Sequence, residues 1–166
     1  MGLMDVFKPQ QVVPTVSSIL PDIAKQEIMK GNLPVLRTDK IFLQATEICH
    51  YIDKAIFEKR KVQKKYIRKG TGYSVPGLFK GSRVSAWGGH TDVVDNIRYE
   101  PIRGILYITN QRIIFLGESE GFEKKVANLI AITPYANCVE FQFSKGRYKL
   151  FVPDGNVINA VLHQVR

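Results

Sequence analysis

The chain has little of what disulfide frameworks, metal centres and membrane-spanning helices require. Its 166 residues include two cysteines, Cys49 and Cys138, and three histidines. Neither cysteine belongs to a CxxC pair, which excludes a zinc ribbon or a thioredoxin-like redox site. No apolar run approaches the 18 residues of a spanning helix, and the first 14 residues lack the pattern of a secretory signal. We therefore expect a soluble, cytoplasmic protein, either free or at the periphery of a membrane.

Candidate catalytic groups are also few. Cys49 and His50 are neighbours in the sequence, and adjacent residues of a strand point to opposite faces, so we do not expect them to form a nucleophile–base pair. His90 lies near Asp92 and Asp95, but a polar loop after two glycines explains that cluster better than a metal site does. We predict no catalytic residue, no metal, no cofactor and no enzymatic activity.

Positive charge is what the sequence has in excess. The chain holds 24 Lys and Arg against 15 Asp and Glu, a net charge of +9. Residues 51–90 account for nearly all of it, with ten basic and two acidic residues, whereas residues 1–50 are neutral. Such a concentration favours an acidic partner: nucleic acid, anionic lipid or an acidic protein. A solvated face is the alternative interpretation.

Hydrophobic periodicity divides the chain into three parts. We predict an irregular lead-in over 1–14, an amphipathic helix over 15–32 and a β-rich domain over 33–166. Within the helix Pro21 fits best in a first turn, which favours a start near Leu20, and Gly31 is placed as the C-terminal cap. From residue 47 the period is two, and the predicted strands are 47–58, 61–69, one within 73–89, the hairpin 104–117, 122–126, 129–134, 138–143 and 146–152. A closing helix is predicted over 154–165, and short strands with tight turns imply a sandwich or bent barrel.

The clearest hairpin is GILYITNQRIIFLG, with a turn at Asn110-Gln111, where asparagine is favoured if φ is positive. Its strands are apolar almost throughout, which is typical of a strand pair covered on both sides. We expect one face to hold Ile105, Tyr107, Ile113 and Phe115, and the other to hold Leu106, Ile108 and Ile114. Arg112 is expected to be structural, bonding turn carbonyls or a nearby carboxylate.

This hairpin resembles the "G-x-L-x-[IL]-T-N-x-R-[IL]-I-F" hairpin of PH-like domains of the GRAM and bacterial PH type. Gly104, Thr109, Asn110 and Arg112 are the structural residues of that motif. More loosely, residues 31–153 resemble small proteins of bacteria and their mobile elements, which share a "G-x-L-P" segment and a "C-H-Y-[IV]-D-[KR]-A" strand. The resemblance implies a mainly β (α+β) fold: a PH-like bent antiparallel barrel or sandwich of about seven strands, closed by a C-terminal helix.

PH-like domains that bind phosphoinositides use the loop between strands 1 and 2, which the resemblance places near residues 58–61. The family's Lys, spacer, Arg-x-Arg motif is absent, so we expect a diffuse anion-binding surface rather than a stereospecific site. The residues expected to bind the acidic partner are Lys59, Arg60, Lys61, Lys64, Lys65, Arg68, Lys69, Lys80 and Arg83. In the neighbouring loop, Tyr73, Leu78 and Phe79 are expected either to insert among lipid headgroups or to pack within the loop.

Three functions follow from these residues. The first is a non-enzymatic binding or adaptor module that recognises an acidic protein or an anionic lipid surface through the basic region. The second is a nucleic-acid-binding protein that uses the same strand, with Tyr66 and Tyr73 as stacking aromatics. The third is a protein–protein or oligomerisation module with no anion site. The sequence leaves the oligomeric state open.

Overall fold

Seven antiparallel strands form one sheet in the computed structural model, which describes residues 13–76 and 83–166 and the side chains of 13–67, 70 and 91–166. The strands are β1 (Cys49–Pro76), β2 (Arg83–Thr109), β3 (Arg112–Gly117), β4 (Phe122–Lys125), β5 (Leu129–Pro134), β6 (Cys138–Phe143) and β7 (Gly146–Phe151). Their order is β4-β3-β2-β1-β7-β6-β5. The end strands β4 and β5 do not pair with each other among the described residues, so the sheet is not closed. The predicted mainly β fold with about seven strands is confirmed, and it is consistent with a PH-like sandwich.

Two helices accompany the sheet, α1 (Asp22–Lys30) before it and α2 (Gly155–Val165) after it. The predicted C-terminal helix is confirmed, and the Asp154 side chain caps it by accepting a hydrogen bond from the Asn156 N–H at 2.9 Å. Neither described helix has the length and apolarity that crossing a bilayer requires.

Helix α1 is shorter than the sequence predicted. It begins at Asp22 because Pro21, with φ of −58° and no N–H, occupies the N-cap, and residues 15–20 are not helical. The predicted apolar stripe is therefore only partly correct: Ala24 is buried within the helix, whereas Ile23 is exposed. The helix ends where expected, since Gly31 has φ of 95° and its N–H reaches the Ile28 carbonyl at 3.1 Å.

The two strands predicted at 47–58 and 61–69 form a single strand, β1. The loop expected near residues 58–61 does not exist, and β1 continues through Gly70 to Pro76. Neither the charged residues nor Gly70 interrupts β1. An exposed strand accommodates charged side chains, and Gly70 has no neighbouring atom within 4 Å of an added Cβ. The strand predicted within 73–89 likewise belongs to β2, which begins at Arg83.

The chain forms two compact units. The core unit comprises the described residues up to Lys59 together with Glu100–Arg166, and the ribbon comprises Arg60–Tyr99. In the core unit, one sheet face packs against α1 and α2. The fully buried side chains of this core include Leu106, Ile108, Ile113, Phe115, Phe141 and Leu150 from the sheet and Ile158 and Leu162 from α2. A smaller cluster of Ile41, Cys49, Tyr107 and Ile114 also buries apolar surface.

The β2–β3 hairpin is apolar on both faces, as expected, but the predicted membership of the faces is wrong. The register pairs Leu106 with Phe115 and Ile108 with Ile113, because a two-residue turn makes Thr109 and Arg112 direct neighbours. These four apolar residues share the face of the large core, and Tyr107 lies opposite Ile114 in the smaller cluster. The predicted faces put Tyr107 and Ile113 on the same side of the hairpin. That prediction corresponds to a register in which one strand is displaced by one residue relative to the other.

Gly104 faces Gly117 across this hairpin, and an added Cβ would collide with the Leu116 carbonyl oxygen. We expect Gly104→Ala to lower the free energy of unfolding by about 2 kcal/mol, the usual cost of overpacking a rigid site. Gly70→Ala is the control, with an expected change within about 0.5 kcal/mol because the space around Gly70 is open. Urea denaturation followed by circular dichroism measures both, and equal midpoints for the two variants would contradict this account.

Candidate functional site

Arg112, which the sequence marked as structural, lies in a buried network at the β2–β3 turn. Its Nε donates to Glu47 Oε1 at 2.8 Å, and its Nη2 donates to Glu47 Oε2 and to the Phe42 carbonyl, both at 2.7 Å. Nη1 donates to Glu123 Oε1 at 3.0 Å. The Glu47 side chain is 0% exposed and that of Arg112 is 11% exposed. Four of the five guanidinium N–H groups are therefore engaged within the protein, which is the arrangement of a structural arginine.

Thr109 and Asn110 complete this network. The Thr109 hydroxyl donates to Glu47 Oε1 at 2.6 Å and accepts from the Arg112 N–H at 2.8 Å. Asn110 Oδ1 accepts from the Ile48 N–H at 2.9 Å, and its Nδ2 donates to the Thr46 carbonyl at 3.1 Å. The expected positive φ at Asn110 is wrong: among the described residues other than glycine, Thr46 is the one with a positive φ, of 64°. Asn110 holds the turn through its side chain instead.

The network sets the charge state of Glu47. Burial alone would raise the pKa of this carboxyl, but hydrogen bonds from Arg112, Thr109 and the Gln44 N–H outweigh burial and lower the pKa to about 2. The hydrogen bond to Glu47 raises the pKa of Arg112 against the opposing effect of burial. Both groups are thus charged at neutral pH and serve as a structural clamp. Sequence reasoning missed Glu47, whose only signal was an acidic residue at the first position of the predicted strand 47–58.

The neighbouring Cys49 and His50 are held in structural positions. Cys49 is fully buried, and burial raises the pKa of its thiol to about 11, so the thiol is protonated at neutral pH. The His50 Nδ1–H donates to the Pro34 carbonyl at 2.8 Å. Among the described residues no group of three His, Cys, Asp or Glu side chains could hold a metal ion.

The core unit contains a groove of about 640 Å³ between residues 14–17 and the sheet. Lys54 and Arg103 contribute the cationic side chains of its lining. The segment that forms one wall is fastened by buried Asp53, which accepts from the Ser18 hydroxyl at 2.6 Å and from the Ile19 N–H at 2.7 Å. The sequence predicted neither this anchor nor the groove, because Asp53 looked like one polar residue within an alternating strand.

The predicted anion-binding residues divide into three groups. Lys59, in the core unit, is neutralised by Glu120, whose two carboxylate oxygens lie 2.6 and 2.7 Å from Nζ. Exposed positions on β1 in the ribbon are occupied by Arg60, Lys61, Lys64 and Lys65. The side chains outside the described part of the chain are Arg68, Lys69, Lys80 and Arg83, together with Tyr73, Leu78 and Phe79.

The first strand of the ribbon carries its cations in adjacent pairs. Arg60 and Lys61 form one pair and Lys64 and Lys65 the next, and since side chains alternate along a strand, each pair contributes one cation to each face. The repeat of four residues corresponds to about 13 Å. Arg60, Lys64 and Lys65 have no ion-pair partner among the described residues.

Exposed apolar side chains lie on both strands of the ribbon. On β1 the exposed fractions are 50% for Val62 and 66% for Tyr66. On β2 the exposed apolar side chains are Val93, Val94, Ile97 and Tyr99. Across Arg60–Tyr99 the sequence has nine basic and two acidic residues, a net charge of +7. The ribbon therefore combines high positive charge with apolar surface that it does not bury itself.

Comparison of the chain with protein-family models, with curated proteins and with solved structures finds no match.

The clamp makes stability depend on pH. Because the folded-state pKa of Glu47 is lowered, its contribution is complete above about pH 4.5 and is lost as the pH falls towards 2. We expect Glu47→Gln to lower the free energy of unfolding at pH 7 by about 3 kcal/mol and to flatten the loss of stability between pH 4.5 and 2. Urea denaturation at several pH values measures both effects.

The matched control is Glu140→Gln, which removes a partly exposed carboxylate 3.4 Å from Arg147. We expect this variant to cost less than about 0.5 kcal/mol and to keep the pH dependence of the unaltered protein. If Glu47→Gln behaved like this control, the clamp would not be the source of the acid sensitivity.

Proposed function

We propose that the protein is a non-enzymatic binding module that holds an acidic partner on its ribbon. The observation that supports the proposal most strongly is the placement of Arg60, Lys64 and Lys65, which are exposed and have no ion-pair partner among the described residues. Charges in this state keep their full attraction for an anion, whereas Lys59, already paired with Glu120, does not. In this proposal the binding element is the ribbon strand, not a loop at residues 58–61.

The exposed apolar side chains also favour a partner. A two-stranded ribbon is marginally stable in water on its own, because it has no second layer against which to bury apolar surface. Val62, Tyr66 and Tyr99 are at least half exposed. Contact with a partner would cover such side chains, and Tyr and Arg are among the residue types that most often contribute strongly to binding energy at interfaces.

The resemblance of the β2–β3 hairpin to PH-like modules supports the same class of function. PH-like domains present binding elements on a β framework, and here the Glu47–Arg112 clamp helps to hold that framework. The site of action that fits this module is the cytoplasm, including the surface of an anionic membrane. A module that oligomerises through the ribbon is the alternative, since the same apolar side chains suit a second copy of the chain.

The test is the triple variant Arg60→Gln, Lys64→Gln, Lys65→Gln. The probes are anionic and neutral vesicles, DNA, RNA and polyglutamate, each at about 0.1 M salt. We expect the unaltered protein to bind at least one of the polyanions, and the triple variant to bind it at least tenfold more weakly, because three exposed cations are lost. Co-sedimentation and fluorescence anisotropy measure the affinities.

The control removes the same charge from the core unit, through Arg37→Gln, Lys40→Gln and Lys145→Gln, all at exposed positions. We expect it to change affinity less than threefold. Equal losses in the two triple variants would show that net charge alone governs binding, and absence of binding to every polyanion would rule out the proposed function.

A further inference from the structure

We propose that the acidic partner is a nucleic acid and that its phosphodiester backbone lies lengthwise along the free edge of β1, over residues 60–67. This inference rests on the proposed function and specifies the partner of the same surface. It follows from three features of the ribbon: an unpaired strand edge, cations on both sides of that edge, and an exposed tyrosine between them.

Over residues 60–67, the edge of β1 opposite β2 has no pairing strand among the described residues. In the sheet β1 lies between β2 and β7, and its register pairs with β7 are Ile56–Phe151 and Phe57–Leu150. From Arg60 to Ile67 no strand joins this edge among the described residues. Every second residue of an edge strand directs its N–H outward, so donors recur about every 7 Å. Backbone N–H groups are regular ligands of phosphate oxygens.

The cation pairs lie on both sides of this row of donors. Arg60 and Lys64 belong to one face, and Lys65, with Lys61, belongs to the other. A linear chain of phosphates along the edge would pass between the two sets. The phosphates of a stacked strand are about 3.4 Å apart along its axis. The spacing of about 7 Å between outward N–H groups therefore corresponds to two nucleotides, and the spacing of about 13 Å between cation pairs corresponds to four. The sequence repeats the pair once more at Arg68-Lys69, although their side chains lie outside the described residues.

A lipid surface fits this arrangement less well. A leaflet is flat and would contact one face of the ribbon, where the cations Arg60 and Lys64 are about 13 Å apart. The cations of the other face would then point into water. A strand edge with cations on both sides is complementary to a linear polyanion, and a phosphodiester backbone is a linear polyanion.

The exposed Tyr66 side chain points to a second kind of contact, because an aromatic ring does not bind phosphate. It is two residues beyond Lys64 on the same face and is 66% exposed. An aromatic ring beside a bound backbone can stack on an unpaired base, an interaction of about 1–3 kcal/mol per base. Tyr66 therefore favours a single strand over a duplex, whose bases are already stacked.

The experiment is fluorescence anisotropy with four probes: a 20-nucleotide single-stranded DNA, the matching RNA, the DNA duplex, and anionic vesicles as the lipid alternative. Salt is varied from about 50 to 300 mM. We expect nucleic-acid binding whose logarithm falls linearly with the logarithm of salt, and a slope that is shallower by about 2 in the triple variant Arg60→Gln, Lys64→Gln, Lys65→Gln. We expect the control variant Arg37→Gln, Lys40→Gln, Lys145→Gln to keep the original slope.

Tyr66→Ala separates stacking from charge. We expect this variant to bind the single strands about tenfold more weakly, to bind the duplex unchanged, and to keep the salt slope. Equal effects on single strand and duplex would overturn the role of Tyr66. The relative affinities for DNA and RNA show which of the two supplies the backbone, and binding of either supports the inference.

Other outcomes separate this inference from the proposed function. Binding to vesicles but not to nucleic acid would overturn the inference and leave the proposed function standing, whereas binding to no polyanion would overturn both.

Exposed edge strands also carry lysines that prevent edge-to-edge association. If the triple variant self-associates in analytical ultracentrifugation while its nucleic-acid affinity and salt slope are unchanged, the cations protect the edge and the inference is wrong.

Discussion

The buried ion pair between Glu47 and Arg112 is the interaction on which the core unit depends. It joins the segment before β1 to the β2–β3 turn, two parts of the chain that are 65 residues apart. A buried carboxylate without this guanidinium would be an uncompensated charge, so removal of either partner costs far more than an exposed ion pair would. Asn110 extends the same connection through the backbone of Thr46 and Ile48. The start of β1 is therefore fixed by polar contacts as well as by packing in the apolar core.

The two units differ in how they satisfy their charges. In the core unit Arg112 is paired with a carboxylate, as its burial requires, and the partly exposed Lys59 is paired as well. The ribbon has no such requirement because its described side chains are mostly exposed, and it carries +7 of the net charge of +9. Folding of the core does not demand this charge. The proposed binding of an acidic partner, or protection of a strand edge, would account for it.

Local patterns predicted the later elements well and the earlier ones poorly. Strands β3 to β7 and helix α2 lie within a few residues of their predicted bounds, because tight turns and a 3.6-residue period mark their limits, whereas β2 begins at Arg83, well before the predicted hairpin start at residue 104. Pro21 shortened α1, and breaks in β1 were predicted near residues 58–61 and after residue 69, although the exposed strand continues through Arg60-Lys61 and Gly70. The partner of Arg112 was not predictable, since nothing local connects it with Glu47. The residues expected to bind an anion were chosen by their charge, and Lys61, Lys64 and Lys65 were already predicted to share a strand; the structure adds Arg60 to that strand and joins it to the preceding one.

Continuity of β1 changes what the basic residues can recognise. In a loop, the same lysines and arginines would converge on one compact anion, as in a phosphoinositide pocket. On a continuous strand they alternate between faces and are spread over several nucleotide lengths, so no single small anion can engage them together. An extended polyanion can, because each added phosphate meets another donor along the edge. A basic loop thus suits a small, compact anion, whereas a basic strand suits an extended polyanion. The basic segment of this chain is a strand, which favours the extended polyanion.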